Sequence, residues 1–467
     1  RRREASRCRI YTPRTMRLRK TITTIVATAI LLAGWQLFAV IANQPELIPS
    51  LPRLVRTLCE WLVSGSFYQS VGATIFRGVL GMSISFVCAI GMAGLFARFE
   101  WVYELFRPLL AIMRSIPVIS FILLALIFLN PESIPLMIAF LTMFPLLTEN
   151  LTRGILDLRP GLSIMARQFH IKRSNVLFQI IYPQLKPFLY SGLASAAGFG
   201  WRAIIMGEVL SQCAFGIGSE MKRAQNFIAV PELLAWTIVA VFISFFFDKG
   251  ISKVADITPK ISFANEDQTI PTPTLSVLDT KDISDQYGIQ HFSHSFQKGI
   301  IYGISAPSGK GKTTLLNLIG GILLPTEGEI HPTRHFGIAT IFQQPQLLPH
   351  LTAEENIILP LSSFLTEEKA RRIAQKHLQE MEMEPFGNRY PKELSYGQQQ
   401  RIAIARALAY PSPLLLMDEP FKGLDEALSH RIIERIREKQ MKEERIILFT
   451  SHNPDEIRLL ADEVIYL

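Results

Sequence analysis

Six apolar stretches in the first half of the chain limit how it can fold more than any other feature. They lie at about residues 21–42, 72–97, 108–129, 133–150, 186–209 and 232–250. Each is close to the length at which a helix crosses roughly 30 Å of hydrocarbon. Inside lipid every backbone polar group must be bonded within the protein, and uninterrupted apolar runs satisfy this requirement as helices. The sequence therefore predicts an α-helical membrane domain with six transmembrane helices.

The positive charge of the chain is unevenly distributed. The net charge is +8, yet eight Arg and one Lys fall within the first twenty residues against a single acid, Glu4. A basic block directly before an apolar helix is typical of contact with anionic lipid and of the positive-inside rule. Membrane lipid is therefore the expected partner of this segment, and nucleic acid is not.

A glycine-rich loop follows a short apolar strand in the second half of the chain. It runs from Ala306, where a Gly is usual, to Thr313. Gly309 and Gly311 let backbone N–H groups turn toward phosphates, Lys312 reaches the terminal phosphates, and the Thr313 hydroxyl serves Mg²⁺. The pattern predicts an ATP site formed by Ser308, Gly309, Lys310, Gly311, Lys312, Thr313 and Thr314.

A second apolar strand ends in two carboxylates. Residues 414–417 are Leu-Leu-Leu-Met, and Asp418 and Glu419 follow them directly. We expect Asp418 to join the Mg²⁺ shell and Glu419 to polarise the attacking water as the catalytic base. After a phosphate loop, such a strand predicts nucleotide hydrolysis.

Residues 394–398 read Leu-Ser-Tyr-Gly-Gln and resemble the signature sequence of ABC ATPases, with Tyr396 in place of the first Gly. With the phosphate loop and the two acids, they make the chain from about 275 to 467 similar to an ABC ATPase, an α/β P-loop NTPase domain. The resemblance implies that Gln343 and His452 act with Glu419 in catalysis, that Gln343 also serves the metal, and that Tyr287 stacks on adenine. It further implies ATP contacts from Ser395, Gly397, Gln398 and Asp425.

One consequence of this resemblance concerns assembly. The signature sequence serves the γ-phosphate bound by a second ATPase domain, and this chain has one such sequence. The chain is therefore expected to act as a homodimer with two composite sites.

The polar segment 154–185 between the fourth and fifth apolar stretches is long, basic and amphipathic. It resembles the coupling loop of bacterial ABC importer permeases, whose Glu-Ala-Ala and Gly positions are taken by residues 164–166 and by His170, with Ile180 and Pro183 at the expected spacing. Residues 198–208 and the Leu-Pro-Ser-Leu-Pro near residue 50 look like permeases for nitrate, sulfonate and taurine. By this resemblance, the loop seats beside Gln343 in the ATPase domain.

Ionisable residues interrupt the apolar stretches. Arg77, Arg114 and Arg202 each lie within one stretch, and Glu208 follows Arg202 by six residues. An intramembrane charge indicates a functional site, although a structural ion pair explains it equally well. Frequent Gly in the second and fifth stretches favours close helix packing.

The patterns divide the chain into a basic segment (1–20), a transmembrane permease domain (21–252), a linker (253–273) and an ABC ATP-binding domain (274–467). Because ATP is cytoplasmic and six spans return the chain to its starting side, both termini are predicted to lie in the cytoplasm of a bacterium. Cys59 and Cys213 are then expected to react with reagents outside the cell.

These features predict ATP-driven import of a small solute, delivered by a separate extracytoplasmic binding protein, across the bacterial cytoplasmic membrane. An anion such as sulfonate or nitrate, or a vitamin precursor, suits the resemblance. An ABC exporter is the alternative, and a membrane-anchored ABC ATPase without transport is another. Exporters carry several long cytoplasmic extensions, whereas this sequence has one long loop.

Overall fold

The computed structural model describes residues 13–255, 259–268, 275–286, 288–307, 309–332 and 337–467, with side chains from residue 22. The chain forms two compact units. The first comprises Arg1–Leu156 and Lys186–Ile257, and the second comprises Asp157–Leu185 and Thr258–Leu467. The predicted fold class is confirmed, because a helical part with apolar helices is followed by an α/β part.

The first part of the chain is helical throughout its described elements. In chain order the helices are α1 (Pro13–Ala42), α2 (Leu51–Trp61), α3 (Gly65–Arg98), α4 (Glu100–Ser115), α5 (Val118–Phe128), α6 (Ile134–Leu156), α7 (Pro160–Gln168), α8 (Arg173–Asn175), α9 (Tyr182–Ser211), α10 (Ile217–Asn226) and α11 (Val230–Ala255). A π-helical turn, Val176–Ile181, connects α8 to α9. The helices α7 and α8 belong to the second unit.

Five helical segments are long and apolar enough to cross a membrane, and the third predicted stretch is not one of them. There α4 and α5 meet at an angle of 94°, so the number of spans reaches six only if this bent pair counts as one. The predicted stretch 108–129 is therefore not a single straight helix. Pro117 explains the break, since the residue before a proline is driven out of the helical region, and Ile116 is extended at ψ 129°.

Small residues bring the membrane helices close together, as the Gly-rich stretches predicted. A Cβ atom on Gly81 of α3 would lie 2.7 Å from the Cβ of Ala139 in α6. A Cβ on Gly200 of α9 would overlap Met143 of α6. In lipid, where apolar burial gives helices little preference for one another, close van der Waals contact of this kind holds them together.

The buried acid Glu208 pairs with Arg77 of α3. Its carboxylate lies 2.8 Å from Arg77 Nη1 and also accepts hydrogen bonds from Thr74 Oγ1 and the Gly218 backbone N–H. Arg77 Nη2 reaches Glu132 at 2.5 Å. Truncating one partner of a buried pair strands the other charge and typically costs about 3–5 kcal/mol. This geometry favours the structural interpretation of Arg77 and Glu208.

Arg202 differs from this pair. Its side chain is exposed within the unit, bonds only the carbonyl of Gly198 in its own helix among the bonds described, and lies over the Phe199 ring at 5.5 Å. Arg114 pairs with Glu149, which also pairs with Arg153.

The expectation that Cys213 reacts from outside the cell is wrong. The residue is buried at 4% exposure, and its thiol lies within hydrogen-bonding distance of Ser211 Oγ and the Pro131 carbonyl. Cys59 on α2 is exposed, so its accessibility stays a prediction.

The α/β unit contains two sheets among its described residues. Its remaining strands and α-helices are β1 (Val277–Ser284), β2 (Phe292–Gln297), β3 (Ile301–Ser305), α12 (Lys312–Ile319), β4 (Glu327–His331), β5 (Ala339–Ile341), α13 (Ala353–Leu361), α14 (Glu367–Glu380), α15 (Tyr396–Ala409), β6 (Leu414–Asp418), α16 (Glu426–Glu443), β7 (Ile446–Thr450), α17 (Pro454–Leu460) and β8 (Glu463–Tyr466). Strands β2-β1-β4 form an antiparallel sheet, and β5-β6-β7-β3-β8 form a parallel one.

The parallel sheet sets the positions of the site residues. Strands β6 and β7 are buried along their whole length, as their unbroken apolar sequences require when helices cover both faces of a sheet. The register pairs Asp418 with Thr450 and Ile304 with Thr450. The carboxyl ends of β3, β6 and β7 therefore meet at one edge, where open α/β sheets bind ligands.

Candidate functional site

The glycine-rich loop lies between β3 and α12 at this edge. Gly309 and Gly311 have φ angles of +79° and +85°, a region that suits glycine. Helix α12 begins at Lys312, so its free N–H groups face the loop. The loop thus presents backbone donors and the positive end of a helix, as anion binding requires.

Lys312 is buried beside the loop. Its ammonium donates to the Ala306 carbonyl at 2.6 Å and lies 3.5 Å from Nδ1 of His452. Of the other predicted loop residues, Lys310 is exposed and Thr314 lies in the first turn of α12. Ser308 and Tyr287 lie outside the described residues.

Asp418 at the end of β6 is bonded to hydroxyls from two neighbouring elements. Thr313 Oγ1 donates to its Oδ2 at 2.9 Å, and Thr450 Oγ1 donates to its Oδ1 at 2.8 Å. Burial raises the pKa of Asp418, although both hydroxyl bonds oppose this change. The structure therefore brings together two of the three predicted metal ligands, Thr313 and Asp418.

Glu419 leaves the strand with a φ angle of +47°, uncommon outside glycine, and this turns its side chain toward the loop edge. Its carboxylate lies 3.0 Å from His452 Nε2 and 3.1 Å from Lys422 Nζ. Burial would raise the pKa of Glu419, but hydrogen bonds from Lys422 and Gln343 and the charges of Lys422 and His452 outweigh it and lower the pKa. Glu419 is thus kept as a carboxylate, the form in which it accepts a proton.

The predicted catalytic residues are therefore brought together. Gln343 and His452 both contact Glu419, although they lie far apart in the sequence. The carboxyl ends of β5, β6 and β7 point to the same edge, and each of these residues follows one of those strands. The arrangement can orient and deprotonate a water molecule beside a bound phosphate.

The signature sequence starts α15 instead of contributing to the strand edge. Ser395 is the N-cap of this helix and forms a capping box with Gln398, which satisfies two free backbone donors. Asp425 caps α16 in a similar way through the Leu428 N–H. A Cβ on Gly397 would lie 2.6 Å from the Gly423 carbonyl, which explains Gly at that position.

Tyr396, the departure from the signature sequence, has a definite place. Its hydroxyl donates to the Gln343 carbonyl at 2.7 Å. Its ring lies over Gly423, where a Cβ would come within 2.8 Å of the ring. The side chain thus links the start of α15 to the segment that carries Gln343.

Of the predicted segment 154–185, residues 157–185 belong to the α/β unit and are called the coupling segment below. Leu162, Met165 and Phe169 are almost fully buried in its main apolar core. A Cβ on Gly161 would lie 2.6 Å from Gln346 Oε1, three residues beyond Gln343. A cavity of about 280 Å³ is lined by both Gly161 and Gln343 and reaches Thr313 and Asp418. Gly161 and Ile164 thus lie beside Gln343, whereas the loop predicted to seat there, 170–176, contacts residues 362 and 363 instead.

His170 is the position at which the segment departs from the Gly of the importer pattern. The residue stands where that pattern has Gly, and its φ angle is +46°. His is one of the residues that enter this region more readily than most. Gln168 beside it donates to the Gly320 carbonyl at 2.8 Å and accepts at its own carbonyl from the Ile338 N–H. The turn is kept without glycine.

Three residues at or near the site were not predicted from the sequence. Thr450 donates to Asp418 and accepts from the Glu419 N–H, so it positions both acids.

Arg406 of α15 is 1% exposed and donates to the Pro345 and Gln346 carbonyls. Burial lowers its pKa to about 10, so it stays charged. Lys422, the third, pairs with Glu419. An Arg within the otherwise apolar run 402–409 is the sequence signal for Arg406.

Family models match both parts of the chain. The model described as ABC transporter matches residues 289–422. The model described as binding-protein-dependent transport system inner membrane component matches residues 85–248.

Individual relatives resemble a part of the chain. The thiamine import ATP-binding protein ThiQ of Yersinia pseudotuberculosis is 35% identical over 186 residues, 38% of this chain and 79% of that protein. An uncharacterized ABC transporter ATP-binding protein of Methanocaldococcus jannaschii is 34% identical over 201 residues, 39% of this chain and 85% of that protein. The Fe(3+) ions import ATP-binding protein FbpC of Rhizobium etli is 35% identical over 189 residues, 38% of this chain. The match spans about half of that relative, 54% of its length.

Among solved structures, a dimeric post-hydrolysis state of an ATP-binding cassette bound to ADP and Pi is 31% identical. The match covers 41% of this chain and 94% of that one, with a TM-score of 0.38. From the family models and the two relatives covered over most of their length, the chain belongs to the ABC transporter family. It is a multi-pass membrane protein that joins a permease component of the binding-protein-dependent type to an ATPase domain that binds and hydrolyses ATP.

Proposed function

We propose that this chain, as a homodimer, imports a small solute into the cytoplasm of a bacterium at the expense of ATP. The observation that carries the proposal is the coupling segment, which leaves the helical part of the chain and is buried beside Gln343. Rearrangement at the nucleotide can reach the membrane helices through this contact. The match of residues 85–248 to a binding-protein-dependent transport system component favours import over export.

Hydrolysis would use the residues grouped at the sheet edge. The backbone of Gly309 and Gly311, with Lys312, holds the phosphates, and Glu419 takes the proton of the attacking water. His452 and Gln343 hold the Glu419 carboxylate in place. Thr450 fixes the direction in which both acids point.

A magnesium ion fits the donors present. The Thr313 hydroxyl and the Asp418 carboxylate lie 2.9 Å apart, and both are hard oxygen donors of the kind Mg²⁺ prefers. Gln343, which lines the same cavity, supplies a third. When bound, the ion neutralises charge on the β- and γ-phosphates.

The homodimer would complete each site. Ser395 and Tyr396 are exposed on the single chain, at the N-terminal end of α15. That end carries partial positive charge and can receive the γ-phosphate held by a second copy. Ser395, Gly397 and Gln398 would then contact the nucleotide bound by the second copy, and Asp425 would lie near that nucleotide.

The solute would be delivered by a separate extracytoplasmic binding protein. The resemblance to nitrate, sulfonate and taurine permeases and the exposed Arg202 suit an anion. ThiQ, by its name, serves thiamine import, which keeps vitamin precursors as the second class.

The test is solute-dependent ATP hydrolysis in reconstituted vesicles, with candidate binding proteins loaded with taurine, nitrate or thiamine. Stimulation by a loaded binding protein, together with accumulation of its solute, is the expected result. Hydrolysis that ignores every binding protein, with export of a preloaded solute, would contradict import.

We expect Lys312→Ala to weaken ATP binding itself. A charged hydrogen bond contributes about 1.5–3 kcal/mol, so the dissociation constant should rise roughly 10- to 100-fold. Equilibrium binding of a fluorescent ATP analogue measures this change. Lys442→Ala, which removes an exposed charge from the last turn of α16 and lies outside the predicted site, is the control. Equal affinity in the Lys312→Ala and parent proteins would contradict the assignment.

Orientation in the membrane can be tested with a native cysteine. Cys59 on the exposed face of α2 should react with a membrane-impermeant maleimide in intact cells, whereas tags at either terminus should be protected until the cells are opened. Cys213 should stay unreactive in both conditions because it is buried. A terminal tag that reacts in intact cells would reverse the proposed orientation.

A further inference from the structure

Residues 259–268, the linker segment, are bonded along the α/β unit. The N–H of Ala264 donates to the Ser362 carbonyl at 3.0 Å, and the N–H of Gln268 donates to the Phe364 carbonyl at 2.8 Å. Asp267 accepts from the Thr366 N–H at 2.9 Å. The linker segment is therefore fixed to the connection between α13 and α14.

The coupling segment holds the linker segment from the other side. The Asn175 amide donates to the Ser262 carbonyl and accepts from the Ser262 N–H, both at 2.8 Å. The same amide nitrogen donates to Ser362 Oγ at 2.8 Å. Asn175 is 1% exposed, so loss of these partners would leave buried polar groups unpaired at a cost of about 1–3 kcal/mol each.

A second contact repeats this arrangement. Gln179 is fully buried, and its amide donates to the Pro259 carbonyl at 3.0 Å. Ile261 and Phe263 of the linker segment pack against the same apolar core as Val176 of the coupling segment. Polar and apolar contacts thus make one continuous joint of the coupling segment, the linker segment and residues 362–366.

We propose that the linker segment is a working part of this joint and does not merely tether two domains. The inference rests on the proposed function, since it assumes that the coupling segment transmits nucleotide-driven motion. A two-state element is shifted only through contacts that differ between its states. Asn175 is hydrogen-bonded to both backbone groups of Ser262. Motion of the ATPase domain therefore reaches the coupling segment through the linker segment as well as directly.

One substitution removes one of the two Asn175–Ser262 bonds at the backbone and keeps the Ser262 carbonyl. Ser262→Pro deletes the N–H that Asn175 accepts, because proline has none. Ser262→Ala keeps both backbone groups and is the matched control. Asn175→Ala removes both bonds to Ser262 and the bond to Ser362 from the coupling segment. ATP affinity and thermal unfolding confirm that each variant is folded.

The measured quantity is the distance between nitroxide labels on Cys59 of the two copies, in a protein where Cys59 is the sole cysteine. It is measured without nucleotide and again after trapping with ATP and vanadate. We expect the parent and Ser262→Ala to change this distance. Ser262→Pro and Asn175→Ala should lose the change while still hydrolysing ATP. A full change of distance in both variants would overturn the proposal. A parent that hydrolyses ATP without any change would instead count against the proposed transmission, and with it this inference.

Discussion

Replacing Glu419 with Gln is expected to slow ATP turnover by about 10²- to 10⁴-fold, the usual contribution of a positioned general base. ATP binding should survive, because Lys312 and Asp418 are unchanged. The structure gives the physical reason: Lys422, Gln343 and His452 hold Glu419 as a carboxylate, and Gln cannot accept the proton of the attacking water. Steady-state phosphate release and equilibrium ATP binding, measured on one preparation, separate the two effects.

Glu426→Gln is the matched control, because it removes an exposed carboxylate from the first turn of α16 without touching the sheet edge. Its turnover should equal that of the parent. Hydrolysis at the parent rate in Glu419→Gln would mean that another group activates the water, and the assignment of Glu419 would be wrong.

Most of the nucleotide site could be predicted because its residues lie in short local sequence patterns. A phosphate loop depends on a few neighbouring residues, and Asp418 and Glu419 directly follow a strand whose burial is visible as an apolar run. Parallel strands then bring their ends together wherever the intervening helices lie. Thr450 was missed because nothing in its neighbourhood shows that its hydroxyl faces Asp418, 32 residues earlier.

Long-range pairing explains what the sequence could not show in the membrane part. Arg77 and Glu208 are 131 residues apart, and their pairing depends on how α3 and α9 approach. The linker segment likewise has no periodicity, since its bonds run to the backbone of residues 362–366 and to Asn175. The break at Pro117, by contrast, was available from the sequence and was outweighed by the apolar run around it.

The coupling segment yields the other large effect. Replacing Ile171 to Ser174 with Gly and Ser should abolish solute uptake while leaving basal ATP hydrolysis close to that of the parent. Ile171 is buried in the α/β core, and the Lys172 N–H donates to Ser363 Oγ at 2.9 Å. The replacement removes the buried side chain and gives the turn many conformations, so the segment no longer follows the ATPase domain.

The size of this effect follows from coupling energies. Coupling between sites is typically about 1–3 kcal/mol, so its loss should reduce stimulation by a loaded binding protein about 5- to 150-fold. The double variant Lys172→Ala with Arg173→Ala is the control, because both side chains are exposed and the backbone N–H and Ile171 remain. It should transport as the parent does. Uptake and stimulation that survive the Gly and Ser replacement would show that transmission does not depend on the buried Ile171 side chain or on a single conformation of this turn.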